Sequence, residues 1–175
     1  MHRSKEYRYC PLCGGILENK LLKQEEHERL VCSGCQFVFY LDPKVVACII
    51  TEIDGQIVMV RRGISPGFGL WVIPGGFVDV GETVADAAVR EIWEEVRLKV
   101  VIDSLVGVYS YTGISSVIIV YEATVLEGLP QACDETLDVR LFSPNEIPWE
   151  DIAFTSTRDA LSDYLSKKHP DVFKK

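Results

Sequence analysis

The stretch from Gly76 to Leu98 constrains the fold more than any other part of the chain. It opens Gly76-Phe77-Val78-Asp79-Val80-Gly81-Glu82 and closes Arg90-Glu91-Ile92-Trp93-Glu94-Glu95-Val96-Arg97-Leu98. From Val84 onward, apolar residues recur at helical spacing: Val84, Ala85, Ala88, Val89, Ile92 and Val96. At about 100° per residue they fill an arc of roughly 140°. Glu91, Glu94 and Glu95 crowd into an adjoining arc roughly 100° wide. Thr83 and Asp86 form a capping box that sets the helix start. Crowded carboxylates repel one another and add nothing to helix stability. A hard cation with a preference for oxygen ligands would offset that repulsion. A solvated acidic helix face explains the helix alone equally well.

The residues before the helix break the tie. Pro74-Gly75-Gly76 and Gly81 are positions where backbone turns sharply and approaches a ligand closely. A glycine loop feeding a carboxylate-bearing helix suits a metal bound to phosphate oxygens. Gly76 to Leu98 resembles the Nudix box, G-x5-E-x7-R-E-U-x-E-E-x-G-U with U aliphatic, and departs from it at one fixed position. There Arg97 stands where the family has glycine. That glycine would serve as a left-handed helix C-cap, and arginine costs about 1 kcal/mol if the geometry is kept.

With 175 residues, 47% of them hydrophobic, the chain can bury one good core and carry a small appendage. No apolar run approaches the ~20 residues of a membrane span. A formal net charge of −8 disfavours non-specific binding to nucleic acid or anionic membranes. An acidic protein acting on phosphates needs metal ions to bridge like charges.

Residues 1–41 stand apart. Cys10-Pro11-Leu12-Cys13 and Cys32-Ser33-Gly34-Cys35 have the spacing of a zinc ribbon. Four thiolates so arranged form a closed, structural tetrahedral site. Two disulfides are the alternative, but the N-terminus has no signal-peptide hydrophobic region, so a reducing, cytoplasmic setting is expected. The charged segment Lys20 to Arg29 reads as a ribbon hairpin loop. Basic and acidic residues nearly cancel around the ribbon's aromatics, so packing is expected there in place of nucleic-acid binding.

After Leu41-Asp42-Pro43, Val45–Thr51 and Gln56–Arg61 read as strands joined through an Asp54-Gly55 turn. Arg61-Arg62 at a strand end are either surface charges or, beside a phosphate site, pyrophosphate ligands. Trp71-Val72-Ile73 and Phe77-Val78-Asp79 read as short strands flanking the glycine pair. Val100–Val108 and Val117–Thr124 follow, the second apolar enough to be central. Asp138–Phe142 is a last strand. Ser156 and Asp159 are expected to cap a final helix running to Lys168. Cys48 reads as core filling, Cys133 as a loop thiol, and neither His2 nor His169 is placed for catalysis.

The Nudix resemblance covers residues 45–168 and implies an α/β/α sandwich with a mixed sheet, behind the small N-terminal zinc ribbon. It implies metal-dependent hydrolysis of a nucleoside diphosphate linked to another moiety. Carried onto this chain, Glu91 and Glu95 would bind magnesium or manganese, with Glu94 joining when more than one ion binds and the Gly75 carbonyl completing the cage. Arg90 would orient the glutamates, Glu82 would support them from the helix start, and Gly76 would lie against substrate. In several members an acidic residue from the loop before the last strand binds metal or acts as base. Here that loop is Gln131 to Thr136, which makes Glu135 the candidate base with Asp134 beside it; a solvated loop glutamate explains it as well.

A ribbon ahead of a Nudix domain resembles the NADH pyrophosphatase branch. Members with NADH activity carry an S-Q-P-W-P-F-P stretch after the box, and Asp103 to Ser116 has nothing like it. The expected substrate is therefore an adenine dinucleotide or nucleotide sugar, FAD or ADP-ribose ahead of NADH, cleaved to release AMP, with a homodimer compatible with the resemblance. The alternatives are a housecleaning hydrolase of modified nucleoside triphosphates and a non-hydrolytic Nudix ligand sensor. Retention of the box carboxylates and the lack of an unassigned helix-turn-helix favour the enzyme.

Overall fold

The computed structural model describes residues 7–133 and 135–171, which leaves His2 and Asp134 outside the described residues. The chain divides into two compact units, one ending at Pro43 and one beginning at Lys44.

The first unit is an antiparallel sheet of β1 (Leu17–Lys20), β2 (Arg29–Cys32) and β3 (Val38–Phe39). The charged segment forms the β1–β2 connection. Leu17, Leu30, Cys10 and Cys32 make its core, with Phe37 and Phe39 packed against them. So few apolar side chains leave the unit dependent on its cysteine cluster for stability.

In the second unit, β4 (Lys44–Ile50), β6 (Gln56–Arg62), β9 (Lys99–Tyr109) and β10 (Ser116–Glu127) are the long strands. The short ones are β5 (Glu52–Ile53), β7 (Trp71–Val72), β8 (Gly75–Phe77) and β11 (Thr136–Phe142). One sheet runs β8-β4-β10-β9, and a second runs β11-β6-β5 with β7 also on β6. β4 and β10 pair in parallel while the other pairings are antiparallel, so the architecture is mixed. The apolar strand β10 lies between β4 and β9, the central place its composition indicates.

Strand alternation builds the layers. Ala47 and Ile49 of β4, with Val58 and Val60 of β6, pack with Ala87, Ala88, Ile92 and Val96 of helix α1 (Val84–Val96). Cys48 and Ile50, with Ile57 and Met59, pack with Ala160, Leu161 and Leu165 of helix α2 (Thr155–Lys168). Successive residues of a strand point to opposite faces, so each central strand serves two cores at once. The result is the α/β/α sandwich expected. Between β5 and β6, Asp54 and Gly55 both take positive φ, 52° and 74°, as a two-residue hairpin turn requires.

The ends of α1 behave as the sequence indicates. The Asp86 N–H donates to Thr83 Oγ1 at 3.1 Å, and the Thr83 hydroxyl donates to Asp86 Oδ2 at 2.7 Å. Arg97 adopts the left-handed conformation, φ 60° and ψ 31°, and its N–H bonds the Trp93 carbonyl. Its guanidinium lies 5.5 Å from the Trp93 ring centroid. The C-cap geometry of the missing glycine is thus kept, with a cation–π contact partly offsetting its cost.

Two expectations are corrected. The glycine pair is not flanked by a strand at Phe77–Asp79 but lies within one, because Gly75 and Gly76 pair with Cys48 and Ala47 of β4. A Cβ at Gly75 would lie 2.4 Å from the Ala47 carbonyl oxygen and 2.6 Å from Cys48 Cα, so only glycine permits that pairing. The final helix begins at Thr155, with Phe154 as its N-cap and no side-chain capping bond. Asp159 is unavailable to a capping box because its carboxylate accepts the Tyr111 hydroxyl at 2.7 Å. His169 pairs with Glu52, Nε2 to Oε1 at 2.7 Å. Among the described residues no helix is long and apolar enough to cross a membrane.

Candidate active site and cysteine cluster

Helix α1 and strand β8 put the box residues on one surface. Arg90 organises it by committing all five of its N–H donors. Nε and Nη2 grip both oxygens of Glu82 at 3.1 and 2.7 Å, and Nη2 also donates to the Phe77 carbonyl at 3.0 Å. Nη1 donates to Glu91 Oε1 at 2.8 Å and Glu94 Oε2 at 3.0 Å. Glu82 accepts the Asp79 N–H at 2.7 Å as well, which ties the glycine loop to the helix. The guanidinium draws the Glu82 carboxyl below its ordinary range. A planar fork spanning three carboxylates and a carbonyl fixes their spacing in a way one ammonium could not.

Glu95 sits beneath the glycine strand. Its Oε2 accepts the Gly75 N–H at 2.9 Å. Burial drives its carboxyl up to about 7, the Gly75 N–H opposing and the charges of Glu91 and Glu135 adding. Burial also raises Glu91, against the pull of Arg90. Gly76 is the reason Glu91 fits: a Cβ there would lie 2.5 Å from the Glu91 carboxylate. Two half-buried carboxylates therefore resist ionisation, and nearby cations only partly offset the cost of charging them. The box glutamates are not drawn into a tight cluster. Among the described residues, the four cysteines are the one group of three or more such side chains converging within 4.8 Å.

The loop before β11 reaches this surface. The Gln131 and Cys133 N–H groups bond the Val96 and Glu95 carbonyls at 3.0 and 3.2 Å, and the Glu135 carbonyl accepts the Gly63 N–H at 2.6 Å. The Glu135 side chain is close enough to raise Glu95 electrostatically. Arg61 and Arg62 both pin the loop that follows β6. Arg61 Nε donates to the Gly69 carbonyl at 2.7 Å and Arg62 Nε to the Pro66 carbonyl at 2.8 Å. Arg62 also lies 5.0 Å from the Phe154 ring centroid.

Beside Gly75 and Gly76 opens a cavity of about 640 Å³. Its walls are mostly apolar, with Cys48, Ile73, Phe77, Tyr111, Ile118 and Phe154 among them. Arg62 lines it and Arg61 does not. The start of α2 closes one side through Thr155, Ser156 and Thr157. Sequence reading missed these lining residues, although the hydroxyl run Thr155-Ser156-Thr157 after an aromatic was visible.

In the first unit Cys10 and Cys35 Sγ are 3.7 Å apart, and Cys13 and Cys32 Sγ 3.4 Å. All four thiols are free, so the disulfide alternative does not hold. The Cys35 N–H donates to Cys32 Sγ, which with its neighbours lowers that thiol to about 6. A Phe37 N–H draws Cys35 down, but the adjacent thiols and burial push it up to about 12. Four sulfurs in one small volume, one already acidified, are the donor set of a tetrahedral zinc site.

A family model for the NUDIX domain matches residues 41–164, and one described as Nudix N-terminal, a zinc ribbon, matches residues 8–41. An ADP-ribose pyrophosphatase of Methanocaldococcus jannaschii is 32% identical over 162 residues, 90% of each chain. An NAD-capped RNA hydrolase NudC of Edwardsiella ictaluri is 39% identical over 98 residues, which span 55% of this chain and 35% of that one. A crystal structure of a NUDIX hydrolase from Nitrosomonas europaea superposes with a TM-score of 0.88 at 35% identity, covering 94% of this chain and 93% of that one. A family model matched over most of the chain, with relatives matched over nearly all of it, shows that this chain belongs to the Nudix family.

Proposed function

We propose that the chain is a pyrophosphatase that uses magnesium or manganese to cleave a nucleoside diphosphate linked to another moiety, ADP-ribose or FAD ahead of NADH, with release of AMP. The observation that carries this reading is the pair of half-buried glutamates, Glu91 and Glu95, packed against a strand in which Gly76 has no side chain to exclude them. Their donor set is oxygen only and undercompensated in charge, which suits a hard divalent cation. Glu91 and Glu95 would hold the cation, with Glu94 and the Gly75 carbonyl contributing. When bound, that ion neutralises phosphate charge and polarises the reacting phosphorus.

The chain's own groups do the rest. Arg90 keeps Glu82, Glu91 and Glu94 at fixed spacing, so the ligands are oriented before substrate arrives. Arg62, with Nε occupied by Pro66, has its terminal N–H groups left for a phosphate at the mouth of the cavity, with Arg61 beside it on the strand. The Glu135 carboxylate is the proposed acceptor of the proton from the attacking water, since Glu91 and Glu95 are spent as ligands. Residues 1–41 form the zinc ribbon, held by Cys10, Cys13, Cys32 and Cys35, and residues 42–175 the catalytic domain. Similarity to a protein named an ADP-ribose pyrophosphatase, over nearly all of both chains, supports the substrate preference.

The test is a turnover panel of ADP-ribose, FAD, NADH, nucleotide sugars and nucleoside triphosphates with magnesium. AMP released from ADP-ribose or FAD is expected. Activity confined to triphosphates moves the chain to the housecleaning class, and tight binding without turnover makes it a sensor.

A further inference from the structure

The turn that carries Glu135 is held by backbone at three points. The Thr136 N–H closes it on the Cys133 carbonyl at 2.9 Å. The Cys133 N–H fastens one end to the Glu95 carbonyl at 3.2 Å, and the Gly63 N–H fastens the other through the Glu135 carbonyl at 2.6 Å. The Glu135 side chain is exposed, so packing does not place it. The ladder between β6 and β11 slips by one residue between Thr136 and Asp138, and a slip of that kind disrupts pairing locally. The Gly63 bond lies beyond that slip, at the end of the ladder that faces the box. Gly63 is glycine for room and not for conformation, because its φ lies outside the left-handed region. A Cβ there would lie 2.5 Å from the Glu135 carbonyl oxygen and 3.1 Å from its carbonyl carbon. Both are backbone atoms, which cannot swing aside as the tip of a side chain does, so the turn itself would have to move.

We propose that Gly63 is a positioning residue for the reaction: the close approach that only glycine permits there sets the distance of the Glu135 carboxylate from the attacking water. This rests on the reading of Glu135 as the acceptor of that water's proton. A base works only within hydrogen-bond reach of the proton it takes, and a misplacement of about 1 Å can cost roughly 10²-fold. Restoring ordinary contact, 3.4 Å or more, for a Cβ at Gly63 moves the turn by about that much. The glutamate side chain has rotatable bonds that recover part of the shift, so the loss is smaller than removal of the carboxylate causes. The same turn bonds the main chain of Glu95, so the spacing of base and box is set by backbone on both sides. Gly63 touches neither Glu91 nor Glu95 among its nearest atoms, which are those of Glu135 and Leu137.

The test is a double-mutant cycle of Gly63→Ala and Glu135→Gln, assayed with ADP-ribose at saturating magnesium. Gly63→Ala should lower kcat roughly 10-fold and leave KM within about threefold. In the Glu135→Gln background it should cost no more than about twofold further, because residues that act through one group do not add. Calorimetric magnesium titration without substrate should give Gly63→Ala an affinity within about twofold of wild type, since the ligands are untouched. Gly55→Ala controls for loss of stability: its φ is 74° and a Cβ there meets open space, far along the chain from the turn. That variant should melt roughly 5 °C lower with full turnover. Cys133→Pro removes the N–H that holds the other end of the turn; it should show the same coupling to Glu135→Gln and serves if Gly63→Ala does not fold. Wild-type kcat in Gly63→Ala, losses that add in the double variant, a parallel fall in magnesium affinity, or slow turnover in Gly55→Ala overturns the proposal. Unchanged kinetics in Glu135→Gln overturns the reading of Glu135 as base and this inference with it, whereas a slow Glu135→Gln beside a normal Gly63→Ala overturns this inference alone.

Discussion

Glu95→Gln separates the folding role of the box from its chemistry. In the metal-free protein the Glu95 carboxyl is raised from 4.5 to about 7, chiefly by burial. A group whose folded pKa is raised favours the protonated form in the fold. Its contribution is complete below the unfolded value and is lost as pH rises through the folded one. The difference of about 2.5 units, at 1.36 kcal/mol each, amounts to about 3 kcal/mol of stability lost between pH 4.5 and a pH above 7. Glutamine keeps the shape and an oxygen for the Gly75 N–H but carries no charge, so it escapes that loss. Trp71, Trp93 and Trp149 all lie beyond Pro43, so tryptophan fluorescence follows the second unit alone and leaves the ribbon silent. Melts in magnesium-free buffer at pH 8 should place Glu95→Gln above wild type, on the order of 10 °C for the full effect in a unit of this size. At pH 4.5 the two should coincide. Saturating magnesium should restore the wild type toward the variant, by binding the folded state alone. A variant that melts below wild type at pH 8 without metal would show that Glu95 is structurally satisfied, and the reasoning fails.

Three other outcomes are expected. Elemental analysis of protein purified without added metal should find one zinc per chain, and Cys32→Ser should lose it; a zinc-free folded protein contradicts the ribbon assignment. Gly76→Ala puts a Cβ 2.5 Å from the Glu91 carboxylate, so turnover should fall roughly 10²-fold through displacement of that group. Near-normal turnover there means Glu91 is not needed where it stands. Glu135→Gln should lose about 10²-fold or more in turnover, together with the acidic limb of the pH–rate profile, while substrate binding persists. Unchanged kinetics returns the base to Glu91 or Glu94.

The parts read correctly from sequence were those with a local cause. The alternation in β4 and β6, the Asp54-Gly55 turn, the Thr83 cap and the paired CxxC spacing each follow from near neighbours in the chain. Arg97 in the left-handed region could be anticipated because the helix must end there whatever residue is present. The errors came from partners distant in sequence. Gly75 and Gly76 form a strand only because β4 lies alongside, a pairing no local pattern announces. Ser156 and Asp159 have the spacing of a cap, yet Tyr111, 48 residues away, takes the aspartate and leaves the serine facing the cavity. The five-bonded role of Arg90 likewise depends on Glu82 and the Phe77 carbonyl being brought beneath it by the glycine loop.

The most direct test of the central claim is the release of AMP from ADP-ribose by wild type and by Glu95→Gln at saturating magnesium, with both products quantified. We expect AMP and ribose 5-phosphate in equal amounts from wild type, with no inorganic phosphate, and a fall of roughly 10²-fold or more in the variant. AMP release that survives Glu95→Gln undiminished would contradict the assignment of the reaction to the box carboxylates.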